Sequence, residues 1–327
     1  MIYDFELNAA SHYPPRGVVE LGPAIEGAGF GTFWKGESDS PDPFALLSGL
    51  AATTRSLKLG TAIAHVHART AVTLGVQAAT LQELSDGRFS LGVGVANARI
   101  AGWHGATFER PLDTARRYLE RARRVAAGER LDDTGFQLGW RPRFARVPSF
   151  LAALGPKMSR LAGEISDGAI VNMATPAKLA EIAAAVREGA RAAGKDGAAV
   201  EIIAKVRVSL DPDRDRARSR LRHLAAMYTV ADHYADMLKT SGFDAEVTRA
   251  RAALAQGGLR AAAQSISDDY LDRLPLVAAT SFEEVLDRLR PFEGSGATRI
   301  IVPYVPATDR TIDEARRFVE AWGARAR

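Results

Sequence analysis

Residues 154–168, LGPKMSRLAGEISDG, form the most chemically specific stretch of this sequence. A strand end runs there through Gly-Pro into a helix, and a helix N-terminus offers unpaired N–H groups and a partial positive charge to an anion. Gly155 lets a ligand approach the backbone, Pro156 suits the first helical position, and Lys157 adds charge. The same residues also read as an ordinary helix start with a surface lysine. Glu37 is the best candidate acid or base, because burial can bring a carboxyl into the range of proton transfer. A simple ion pair with Lys35 or Arg69 accounts for it equally well.

The chain has six histidines, and His65 and His67 are two apart. On a continuing strand they would share a face and could hold a divalent metal. Such a site needs further His and Asp ligands, and His12 and His104 match no pattern of that kind. No metal is therefore expected, and His65 is read as lining a coenzyme or substrate pocket. His223 and His233 fall on later helices and read as solvated. Trp103, His104 and Phe108 share a loop that either covers a ligand or packs on itself. Ser85, Ser90 and Ser149 lack the setting of an acyl-transfer nucleophile.

The elements that must position these residues alternate short β-rich runs with longer helical patterns. Strands are expected at residues 2–8, 32–35, 57–64, 88–95, 149–154, 169–172, 201–210 and 299–305. Helices are expected at 18–29, 43–55, 70–85, 112–127, 156–168 and 176–193, with Thr311 and Glu314 opening a last one as a capping box. Alternation of this kind implies a parallel sheet, and eight units imply a closed (β/α)8 barrel, a TIM-barrel α/β fold. An open doubly wound sheet is the runner-up, weakened by the lack of GxGxxG after the first strand. Residues 211–275 are too long for one crossover and read as a helical insertion between strands 7 and 8. Four helices are expected there, at 215–227, 228–240, 245–256 and 261–274, as extra packing or as a lid. The chain is read as one domain, 1–327.

In a barrel, the residues just past the strand ends face the site. Here these are Asn8, Glu37, Ser38, Asp39, residues 64–67, Val95, Ala96, Asn97, residues 154–158, Asn172 and Tyr304. A composition of 46% hydrophobic and 25% charged residues is that of a soluble globular protein. The net charge of +4 is dispersed beside acids, with no basic stripe interleaved with aromatics, so no nucleic-acid partner is expected. A mildly positive barrel mouth would assist an anionic ligand. The absence of cysteine excludes disulfides and thiolate chemistry. No signal-like N-terminus and no membrane-length apolar run is present, so a cytoplasmic location and no membrane partner are expected.

Three blocks together resemble the bacterial luciferase-like flavin or coenzyme F420-dependent oxidoreductases, nearest the methylenetetrahydromethanopterin reductase-like branch. They are DPFALLSGLAATTRSLKLGTAI, LQELSDGRFSLGVGVAN and LGPKMSRLAGEISDGAIVN, in that order and spacing. The resemblance implies a deazaflavin coenzyme, F420, serving hydride transfer to or from a small organic substrate. It implies that Leu154, Gly155, Pro156, Lys157 and Met158 cradle the coenzyme phosphate. Val95, Ala96 and Asn97 would lie along its tail or ring, with Asn172 at a neighbouring strand end. Ala62 and Ile63, followed by Ala64, match the position of a non-prolyl cis peptide that backs the ring. Glu37 or His65 would then move the proton.

The sequence departs from related sugar-phosphate dehydrogenases in two places. They carry Asp-His after the second strand, where Glu37-Ser38 stands here, and Glu where Asn97 stands, so that mechanism is not expected. Three other readings stay open. One is an FMN-dependent monooxygenase of the same fold, served by a separate flavin reductase. The others are a non-catalytic flavin-binding relative and, outside the family, a metal hydrolase. A homodimer is expected from the family likeness.

Overall fold

The computed structural model describes residues 1–8 and 12–325. Its frame is a parallel sheet rolled shut. Strands β1 (Ile2–Leu7), β2 (Thr32–Lys35), β3 (Lys58–Thr61), β4 (Ala64–His65), β5 (Phe89–Gly94), β6 (Ser149–Ala152), β7 (Gly168–Asn172), β8 (Glu201–Lys205), β9 (Arg207–Leu210), β10 (Leu276–Ala279) and β11 (Arg299–Tyr304) belong to one sheet. Eight of them, in the order β1-β2-β3-β5-β6-β7-β8-β11, form the barrel, and β1 pairs with β11 to close it. Helices connect them: α1 (Pro15–Gly27), α2 (Pro43–Thr53), α3 (Ala71–Leu84), α4 (Ala98–Trp103), α5 (Pro111–Ala126), α6 (Pro156–Ile165) and α7 (Pro176–Ala192). Barrel strands buried on both faces are apolar almost throughout, which is why GAIVN and RIIVPY carry no simple alternation.

Local chemistry fixes the helix starts. Thr70 accepts from Thr73 N ahead of α3, Thr175 from Lys178 N ahead of α7, and Asp42 from Ala45 N ahead of α2. The capping box expected at Thr311 does not form. Helix α13 (Thr311–Ala324) starts without a side-chain cap, and Glu314 instead turns inward to accept from Ala307 N at 2.8 Å and Thr308 N at 2.9 Å.

Two apolar cores share the strands between them. Phe5, Leu7 and Phe33 face the helices, while Trp34, Ala62, Phe150, Ile170, Ile203 and Ile301 form a separate cluster that fills the barrel. Gly60 is required there: a Cβ would sit 2.4 Å from the Trp34 ring. At the barrel foot, Asp4 accepts from Arg299 at 2.9 and 2.7 Å and from Trp34 Nε1 at 2.9 Å, and Thr32 accepts from the same guanidinium at 2.6 Å.

The long excursion differs from the sequence expectation in one respect. The seventh strand breaks at Val206 into β8 and β9, and the chain next enters four helices, α8 (Arg214–Val230), α9 (Asp232–Thr240), α10 (Asp244–Gln264) and α11 (Asp268–Arg273). It then adds β10 parallel to β9 and a further helix, α12 (Phe282–Glu293), before β11. The excursion therefore runs past residue 275 and is not wholly helical. LVAA is too short a run to declare itself, and only the bend at Val206 frees β9 to receive it. Helix α10 is kinked at Gly257 and Gly258, the latter at φ +69 and ψ −165, a region open in practice only to glycine. No helix among the described residues is long and apolar enough to cross a membrane.

Candidate active site

A cavity of about 350 Å³ opens at the C-terminal end of the barrel. Its inner wall is the Ala62-Ile63 peptide, which is cis. That peptide is held on three sides: Ala62 N donates to Lys35 O at 2.9 Å, Ala62 O accepts from Lys205 Nζ at 2.9 Å, and Ile63 O accepts from Glu37 N at 3.0 Å. Gly94 leaves room for the resulting bulge, since a Cβ there would lie 2.1 Å from Ile63 Cδ1. Below it Lys205 pairs with Glu6 at 2.6 Å, both nearly fully buried.

Glu37 and His65 meet at the rim and are laced to each other. Glu37 Oε2 accepts from His65 N at 2.6 Å and Arg69 Nη1 at 3.1 Å, while Arg69 Nη2 takes Oε1. Arg69 lies over the Phe44 ring at 4.9 Å. Both Glu37 oxygens are thus occupied by donors, and of the two pairings open in the sequence it is Arg69 that forms. Lys35 turns instead to Gly36 O at 2.7 Å and Ser40 Oγ at 2.6 Å. His65 Nε2 lies 2.8 Å from Glu37 O, and His65 Nδ1 is buried with no hydrogen-bond partner. Since a carbonyl can only accept, Nε2 carries the proton and Nδ1 is a free acceptor in the neutral ring. Burial holds the imidazole below its ordinary value of 6.5, against the opposing pull of Glu37.

The far wall comes from the excursion. Arg207 donates to Asn8 Oδ1 at 3.3 Å, to Asn172 Oδ1 at 2.7 Å and to Tyr228 Oη at 2.7 Å. Asn172 Nδ2 donates to Tyr234 Oη at 2.6 Å. Each phenol oxygen therefore accepts a hydrogen bond and keeps its own proton to give. Burial pushes the Tyr234 phenol up, so it stays protonated. His233 lines this wall, 4.3 Å from the Tyr234 ring, with burial holding its imidazole down. It is not the solvated side chain expected of it, because α9 turns it toward the barrel.

The expected site residues divide into two groups. Glu37, His65, Ala62, Ile63, Ala96, Asn97 and Asn172 line the one cavity. Ala64 is wholly buried and Val95 packs on the core, so neither does. Asn97 uses its side-chain oxygen to cap α4, accepting from Ile100 N at 3.0 Å. The segment expected to be a loop around Trp103 is thus partly a helix, and Trp103 lines the rim half-exposed. Leu154, Gly155, Pro156, Lys157 and Met158 lie outside the cavity, two residues past its lining residue Ala152. Gly155, Pro156 and Lys157 are exposed, α6 has no side-chain cap, and a Cβ on Gly155 would meet nothing within 4 Å. The helix start faces open space. Tyr304 is buried against Phe318 and is not at the mouth.

The HxH reading fails on geometry. Strand β4 ends at His65, so no strand carries His67 onto its face, and no group of three or more metal-ligating side chains occurs among the described residues. The sequence reading overlooked Glu6, Lys205, Arg207, Tyr228 and Tyr234. One signal was present: EIIAKVRVSL places two cations at alternate positions of a mostly apolar strand, which demands buried partners.

A family model described as luciferase-like monooxygenase matches residues 4–299. A Mycobacterium tuberculosis protein named for coenzyme F420-dependent oxidoreductase activity is 30% identical, with 88% of this chain and 91% of that protein covered. The 5,10-methylenetetrahydromethanopterin reductase of Archaeoglobus fulgidus is 28% identical over 84% of this chain and 86% of its own. The fold matches the coenzyme F420-dependent tetrahydromethanopterin reductase of Methanopyrus kandleri with a TM-score of 0.78, 19% identity and 98% of both chains covered.

Proposed function

The chain belongs to the luciferase-like monooxygenase family, and from that premise we propose that it is an oxidoreductase using the deazaflavin coenzyme F420 for hydride transfer to or from a small organic substrate. The observation that carries this reading is a cavity at the barrel mouth walled by Ala62 and Ile63, with an open, uncapped helix start just past its lining residue Ala152. A flat ring and an anionic tail call for those two surfaces. The two relatives named above for F420 or methylenetetrahydromethanopterin chemistry support the choice of coenzyme.

The residues fit such a group. Free N–H groups in the first turn of α6, with Lys157 beside them, suit a phosphate. Ala62 and Ile63 present an apolar wall, and Gly155 leaves the approach clear. When bound, the coenzyme accepts or gives up the hydride. The chain's own part is to position, to exclude water and to handle the proton. His65 lines the cavity at the rim and is the residue that handles the proton. Glu37 is the positioning residue that fixes His65 through two hydrogen bonds and anchors Arg69. Tyr228 and Tyr234 offer donors to an oxygen or nitrogen of the substrate.

The family's description also favours a second reading, an FMN-dependent monooxygenase supplied with reduced flavin by a separate reductase. Fluorescence titration with oxidised F420, and separately with oxidised and reduced FMN, decides between them. Micromolar binding of F420 alone supports the proposal. Tight binding of reduced FMN with oxygen consumption supports the monooxygenase, and binding of neither removes both.

A further inference from the structure

A second, larger cavity of about 1080 Å³ lies outside the first, bounded by α8, the second half of α10, the start of α11 and the segment after β11. Asn8 and Leu224 line both cavities, so the two adjoin there. The outer one is cationic. Arg220, Arg222 and Arg260 line it with His12 and His223, and the two lining carboxylates are already engaged: Asp309 by Arg220 at 2.8 Å, Asp268 by Arg222 and by Arg218 at 2.9 Å. Arg260 is exposed and has no acidic partner among the described residues. It sits just past the Gly257-Gly258 kink, in the part of α10 that turns onto this cavity.

The inner cavity, about 350 Å³, is near the lower end of the range for small-molecule sites, roughly 300–1,000 Å³.

We infer that the two cavities form one bent substrate site, and that the substrate is an organic anion. Its uncharged reacting end enters the barrel mouth, and its carboxylate or phosphate arm lies on Arg260, beside the ion-paired Arg220 and Arg222. This assignment rests on the oxidoreductase reading for the identity of the reacting end, but the anion subsite is testable without it.

The test is calorimetric titration of the coenzyme-free protein at low ionic strength with citrate and, separately, inorganic phosphate. Wild type, Arg260→Glu and Lys157→Glu are compared, with thermal melts of each. The inference expects Arg260→Glu to weaken the better-bound anion at least about tenfold, with no change in melting or in F420 affinity. Lys157→Glu, at the α6 start, should leave that anion bound and weaken F420. Unchanged anion affinity in Arg260→Glu, or its loss in Lys157→Glu, overturns the inference. Failure of F420 to bind while the anion still depends on Arg260 would remove the coenzyme reading and leave the subsite standing.

Discussion

At the foot of the barrel Asp4 receives three hydrogen bonds, and Arg299, Trp34 and Thr32 close the network around it. At the mouth Asn8 Nδ2, His65 Nδ1 and, in β9, Ser209 Oγ are buried with no partner. Both ends draw on the same strands: β1 supplies Asp4 to one, and Asn8, just past its end, belongs to the other. The foot uses polar groups to fix the register of β1, β2 and β11, and the Asp4 cluster is satisfied within the protein. The mouth leaves these three enclosed atoms unpaired.

Substitutions can sharpen or break that division. The largest effect belongs to the foot. Asp4→Ala strands a buried guanidinium and is expected to destabilise by about 3–5 kcal/mol, read from the denaturant midpoint. Next is Gly60→Ala, which drives a methyl group into the Trp34 ring and should destabilise by about 1–3 kcal/mol without altering ligand affinity. A comparable loss of ligand affinity in either variant would blur the two ends.

At the mouth the effects on stability are smaller and depend on conditions. The folded His65 imidazole titrates below 6.5, the value it recovers on unfolding. Below pH 6.5 the unfolded chain therefore binds the proton that the folded chain refuses, and stability falls as pH falls through that window. His65→Gln should flatten part of the decline between pH 7.5 and 5, seen as a smaller shift in melting temperature. His67 and His233, also held down by burial, retain the rest. The smallest effect is Ser209→Ala. Removing a buried hydroxyl that has no partner is expected to be neutral or to stabilise by up to about 1 kcal/mol, and a clear loss of stability would mean that the hydroxyl is satisfied.

Much of this was legible in the sequence. Strand ends are local, and runs such as LGVGV and GAIVN, set between caps such as Thr70 and Thr175, declare a barrel before any contact is known. That logic brought Glu37, His65, Asn97 and Asn172 to one rim. What it missed depends on where the chain bends. Reading residues 201–210 as one strand placed its end at Leu210 and hid Lys205 and Arg207, which reach the site because the strand breaks at Val206. Tyr228 and Tyr234 stand on helices of the excursion, and nothing local in a helix says which face will meet a cavity. Glu37 shows the opposite limit: its position was legible, but whether it is free or clamped was decided by Arg69, 32 residues away.

The coenzyme site is tested most directly by F420 titration of Gly155→Leu alongside its thermal melt. Gly155 has ordinary backbone angles, φ −86 and ψ 159, and open space in front of it, so the fold should accept leucine unchanged. An unaltered melting temperature is expected, with coenzyme affinity reduced at least about tenfold, because the side chain fills the approach to the α6 N-terminus. Wild-type affinity in this variant would contradict the placement of the coenzyme at the barrel mouth.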